Sequence, residues 1–165
     1  MSSININWLI NTKKHVIDSG GVDLYYLLET MLSEQKMSFQ QFIYDASRGI
    51  GCVVSEGLVY VLDQDLDDPS EFDGACFILG DYESSTLSPQ KFVELMRVIT
   101  DSYITEHPEN KETIERSMVR LKERYTWYWR SFTPLCQWDN QLSGLASESD
   151  VAVHCKSLIF QLLID

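Results

Sequence analysis

The chain of 165 residues is 44% apolar and 23% charged, the balance of one folded domain with a real core rather than of a disordered chain. Asp and Glu number 25 against 13 Lys and Arg, a formal net charge of −12. That surface speaks against nucleic acid and anionic membranes as partners, because gripping phosphates needs a basic face, and it leaves a basic protein partner or plain solubility. No apolar run approaches the roughly 18–20 residues that span a bilayer. The stretch "MSSININWLINTKKH" lacks the basic start, apolar block and small-residue cleavage site of a secretory signal, so the expected location is cytoplasmic.

The first third reads as helical. In "VDLYYLLETMLSEQ", Leu24, Leu27, Leu28, Met31 and Leu32 fall on one stripe, after a break at Gly20 and Gly21. Ser38 opens "SFQQFIYDA", with Gln41 placed for a capping box, an apolar face of Phe39, Phe42, Ile43 and Ala46, and an end at Gly49 and Gly51. The period then changes. "IGCVV", "GLVYVLD", "GACFILG" and "YESSTL" predict three or four short antiparallel strands, the first two turning at Glu56-Gly57. Helix returns with Ser88 as N-cap and Pro89 at the first helical position, where a missing N–H costs nothing. Its stripe is Phe92, Leu95, Met96, Ile99 and Tyr103. A longer helix from Pro108 carries Ile114, Met118, Leu121, Tyr125, Trp129 and Phe132, residues 133 to 147 read as loop, and Val151, Cys155, Leu158, Ile159 and Leu162 mark a closing helix. With no repeat or linker, the expectation is one domain over 1–165 of α+β class, helices packed on a small antiparallel sheet.

The most concentrated feature is "DQDLDDPSEFDG", residues 63–74, which holds Asp63, Asp65, Asp67, Asp68, Glu71 and Asp73 without a Lys or Arg. A calcium loop of the EF-hand kind fits Asp63, Asp65 and Asp67 at positions one, three and five. It fails at Asp68, where Gly must turn, and at Gly74, where a bidentate Glu belongs. Acid catalysis needs two carboxylates in unlike environments, which six solvated ones on a Pro-containing loop do not provide. Asp81 and Glu83 extend the acid run past the strand "GACFIL", so both ends of that strand carry negative charge. If these ends meet on one surface, the field would steer a basic partner and raise its on-rate by about 10–10³-fold. A solvated loop with no role accounts for the spacing equally well.

Other motifs are weaker. Cys52, Cys76, Cys136 and Cys155 lack the clustered spacing of a zinc site and read as small buried hydrophobes in a reducing compartment, so neither metal nor cofactor is expected. "SRGIGCVVSEG" lacks the pattern of a phosphate-binding loop, and His15, His107 and His154 are scattered without a nucleophile signature. In "YTWYWRSF", Trp127 lies off the core stripe, either as a partner anchor or packed on the C-terminal loop. Nothing builds an active site, and an enzyme is not expected.

Residues 72–121 resemble the immunity proteins of bacterial contact-dependent growth inhibition, the CdiI type that accompanies ribonuclease toxins. The resemblance lies in Phe72-Asp73-Gly74 leading into an apolar strand and an acidic turn. It continues through Leu87-Ser88 opening a helix, Tyr103 near its end, and His107-Pro108-Glu109 opening the next. It implies a non-catalytic inhibitor that binds the basic C-terminal domain of a cognate toxin one to one, as a monomer, and covers its active site or substrate path. On that reading Asp63, Asp65, Asp67, Asp68, Glu71, Asp73, Asp81, Glu83 and Trp127 face the partner. An acidic adaptor or nucleic-acid mimic would use the same carboxylates with less discrimination. A hydrolase or transferase would instead need a pocket of clustered polar groups.

Overall fold

The computed structural model describes residues 5–80 and 82–130, with side chains other than those of 82–84 and 127–130. The described elements lie in one compact unit, Met1–Ser131. The expected closing helix, the loop before it, Cys136, His154, Cys155 and Phe132 fall outside the described residues, as does the C-terminal part of the expected single domain.

Three helices open the chain: α1 (Asn7–Asp18), α2 (Val22–Ser33) and α3 (Phe39–Ser47). Then come strands β1 (Cys52–Ser55) and β2 (Leu58–Val61), two single 3₁₀ turns (Asp63–Asp65 and Pro69–Glu71), and strands β3 (Ala75–Leu79) and β4 (Tyr82–Leu87). Helix α4 (Pro89–Glu106), a 3₁₀ turn (Pro108–Asn110) and helix α5 (Lys111–Arg130) follow. The class is the expected one: the described residues form five helices and a four-stranded antiparallel meander ordered β1-β2-β3-β4.

The helix starts follow local chemistry. The Ser38 hydroxyl accepts from the Gln41 N–H at 3.2 Å, and the Ser88 hydroxyl from the Lys91 N–H at 3.3 Å. The capping box is only half formed, since the Gln41 side chain donates forward to Asp45 at 2.9 Å rather than back to the cap. Pro108 begins a 3₁₀ turn rather than α5 itself, which starts three residues later.

The predicted stripes form the core. Leu24, Leu27, Leu28, Met31, Phe42, Ile43, Phe92, Leu95, Met96, Ile99, Ile114, Leu121 and Tyr125 are all buried. One sheet face meets them: the Tyr60 ring lies 5.2 Å from that of Phe42 and 6.4 Å from that of Phe92. The other face carries the Val53–Val59–Ile78 row, with Val53 72% exposed. The Ser85 hydroxyl ties β4 to the Asp23 carboxylate of α2, and the Ser102 hydroxyl ties α4 to the Trp8 carbonyl of α1 at 2.6 Å. Cys52 and Cys76 are half-buried, and burial pushes the Cys52 thiol up to about 11, so it stays protonated at neutral pH.

Candidate protein-binding surface

The acidic stretch is the connection from β2 to β3, and its two halves face different ways. At its start β2 delivers Leu62 into the core. Asp65 is exposed, yet its Oδ2 accepts the N–H of Leu62 at 2.8 Å and of Gly51 at 2.7 Å. One carboxylate oxygen thus closes the first 3₁₀ turn and fastens it to the loop leaving α3.

Asp63 is 1% exposed. Arg124 on α5 forks onto it, Nε donating to Oδ1 at 3.0 Å and Nη2 to Oδ2 at 2.5 Å. The Tyr125 hydroxyl donates to Oδ1 at 2.9 Å and the Gln64 amide to Oδ2 at 3.0 Å. Burial pushes the Asp63 carboxyl up, but hydrogen bonds from Arg124, Gln64 and Tyr125 and the Arg124 charge outweigh it, leaving the group below its ordinary value. Gly49 makes room for this clamp. Its φ is +78°, and a Cβ there would lie 2.4 Å from Asp63 Oδ1 and 2.5 Å from Arg124 Nε.

The expectation of six solvated carboxylates without a cation is therefore corrected at Asp63. A buried carboxylate needs a partner, and the chain supplies one 61 residues away. Asp63 holds the connection in place and cannot itself face a partner from this position.

The second half points out. Asp67, Asp68, Glu71 and Asp73 are exposed, and with Asp65 they make no ion pair among the described residues. Asp68 Oδ1 accepts the Ser70 N–H at 2.9 Å and hydroxyl at 2.7 Å, bonds that lower its pKa and cap the second 3₁₀ turn. Phe72 turns inward and stacks on Tyr125 at 5.2 Å. Gly74 then passes so close to β4 that a Cβ would lie 2.2 Å from the Leu87 carbonyl oxygen. The outward carboxylates ride on a connection secured before, within and after them.

The two parts of the expected acid surface do not share one end of the sheet. The β3–β4 turn lies beside the β1–β2 turn, where the Gly80 N–H donates to the Gly57 carbonyl at 2.7 Å. Five residues of β3 separate this end from Asp73, roughly 16 Å at the rise of an extended strand. Glu83 pairs in register with Ile78 near the turn, its side chain outside the description. Asp81 lies outside the described residues, and of Trp127 only the helical backbone is described.

Two grooves lie on the surface of the described residues. One, of about 220 Å³, lies between α4 and α5 against Pro89, Val93, Lys122, Tyr125 and Thr126. The other, of about 530 Å³, is bordered by Trp8, Lys36, Phe39, Tyr103 and His107. His107 packs on the Tyr103 ring at 4.5 Å and sits 3.4 Å from Glu109, a helix-end contact. Among the described residues no group of three or more His, Cys, Asp or Glu side chains is arranged to hold a metal. No described helix is long and apolar enough to cross a membrane.

The chain belongs to the CDI immunity protein family, whose model matches residues 13–118. It is an immunity protein of contact-dependent growth inhibition, and its partner is a cognate toxin. No curated protein and no solved structure matches the chain. The family match begins in α1 and takes in α2 and α3, well before residues 72–121, where the sequence resemblance lies. It includes the whole acidic connection and ends before Arg124.

Sequence reasoning missed Arg124, the Tyr125 hydroxyl and Gly49. One signal was available: on α5, Arg124 stands between Leu121 and Tyr125 on the apolar stripe, where a cation calls for a buried carboxylate.

Proposed function

We propose that this immunity protein neutralises a ribonuclease toxin by laying the outer half of the β2–β3 connection on the toxin's basic, RNA-gripping surface. Asp65, Asp67, Asp68, Glu71 and Asp73 make the contact, and Asp63 holds them in position through Arg124 and Tyr125. The inhibitor acts in the cytoplasm of the producing cell, as a monomer in a one-to-one complex, and does no chemistry of its own.

The observation that carries this reading is a set of exposed carboxylates on a connection fastened at both ends, none of them paired with a cation among the described residues. A surface fixed in the free protein loses little conformational entropy on binding. Its field favours fast association with a basic partner. A ribonuclease must present such a basic surface, because its substrate is a polyphosphate.

The test is calorimetric titration into the toxin C-terminal domain encoded directly upstream, at low and high salt. A one-to-one complex of nanomolar affinity or tighter that weakens with salt is expected. Tight but salt-insensitive binding would move the interface to apolar anchors such as Trp127. Absence of binding would remove the immunity reading for that pair.

A further inference from the structure

The molecule carries a second charged feature of opposite sign beside the acidic connection. Tyr44 on α3 is 42% exposed, and two guanidinium groups converge on its ring: Arg48 at 5.6 Å and Arg120 of α5 at 6.0 Å. Both arginines are exposed. Acids outnumber cations 25 to 13, yet among the described residues not every arginine has a carboxylate partner. Arg97, Arg116 and Arg124 have theirs in Asp101, Glu112 and Asp63, whereas Arg48 and Arg120 pair with none among the described residues. An aromatic ring holds a guanidinium by its face and leaves the N–H fork free for a planar anion.

The position of the group matters as much as its chemistry. Arg48 precedes Gly49, which touches the Asp63–Arg124 clamp, and Arg120 lies one helical turn before Arg124 on the same face of α5. The Arg48–Tyr44–Arg120 cluster therefore flanks the root of the acidic connection.

We propose that Arg48, Tyr44 and Arg120 form an anion-recognising anchor that binds a carboxylate side chain of the cognate toxin, next to the basic surface met by the acidic connection. This rests on the immunity reading above. A carboxylate of a protein fits better than a nucleic-acid phosphate. A polyanion would be repelled by a chain whose net charge is −12, whereas one Asp or Glu side chain on a basic protein meets both signs correctly. Two opposite charges side by side would also fix the register of the complex and reject toxins with only a uniform basic face.

The test uses the full-length immunity protein with charge reversals Arg48→Glu and Arg120→Glu, singly and together, and separately Tyr44→Leu. All three sites are exposed, so thermal melting should match the wild type. Titration into the upstream-encoded toxin domain should show about a 10–100-fold loss of affinity for the double reversal. Reversing one Asp or Glu of the toxin to Lys should restore most of it. Wild-type affinity in the double variant, with the wild type binding tightly, would overturn the anchor and leave the immunity reading intact. Failure of the wild type itself to bind would overturn both. Unchanged toxin affinity together with altered self-association would assign the cluster to a second copy of this chain and overturn the proposal as well.

Discussion

Asp63 and Asp67 are the same residue type four positions apart in one acid-rich connection, and they do opposite work. Asp63 is buried under a guanidinium fork, a phenol hydroxyl and an amide, while Asp67 stands exposed with no ion-pair partner among the described residues. Asp65 sits between these extremes, exposed in its side chain yet accepting two backbone N–H groups. A run of like charges is thus not one feature but two, an anchor that fixes the backbone and a free edge that the anchor presents. The division follows from electrostatics. A carboxylate can be buried only where cations and donors compensate its lost hydration, and α5 offers one such place. The remaining acids stay in water.

Arg124→Met strands the buried Asp63 carboxylate and should cost about 3 kcal/mol in urea unfolding. The pH dependence carries the sign of the effect. Asp63 titrates below its ordinary 3.8 in the folded protein, so its contribution is complete above that value and is lost as pH falls through the folded pKa. In the variant the acid-side loss should shrink, because protonating Asp63 now relieves an uncompensated charge. A second cut enters through the backbone. Gly49→Ala places a Cβ against both partners of the clamp in a left-handed conformation, and should cost about 1–3 kcal/mol, read as a lowered melting temperature. Asp65→Ala leaves the Leu62 and Gly51 N–H groups without their acceptor and should cost about 1–2 kcal/mol in the same denaturation experiment. Smallest of all in stability is the triple reversal Asp67→Lys, Glu71→Lys and Asp73→Lys. Its unfolding free energy should stay within about 0.5 kcal/mol of the wild type, while its affinity for the toxin domain falls sharply and loses its salt dependence. A large stability change there would merge the two halves again.

Much of the fold was legible from periodicity and caps. Stripes such as Leu24–Leu28–Met31 and Phe92–Met96–Ile99 are core because a helix repeats its face every three to four residues, and Ser38 and Ser88 cap because their hydroxyls reach N–H groups three residues on. Strand β4 was harder to read: "YESSTL" has few apolar residues, and its place comes from pairing with β3 rather than from its own composition. The acidic connection was visible, its division was not. Asp63 and Arg124 are 61 residues apart, and no local pattern encodes a contact over that distance. The place of Glu83 was also hidden, because which end of a sheet a residue occupies depends on strand number and direction. A four-stranded meander puts Glu83, paired with Ile78, at the end away from the β2–β3 connection. The Arg48–Tyr44–Arg120 cluster draws on two helices far apart in sequence and gave no signal either.

The most direct test of the central claim is hydrogen exchange of the backbone amides in the free immunity protein and in its complex with the toxin domain. New protection is expected at residues 66–74, on the outward half of the connection, with the turns at 55–58 and 80–82 unchanged. Protection confined to those turns, with 66–74 exchanging as in the free protein, would contradict that claim and place the toxin at the other end of the sheet.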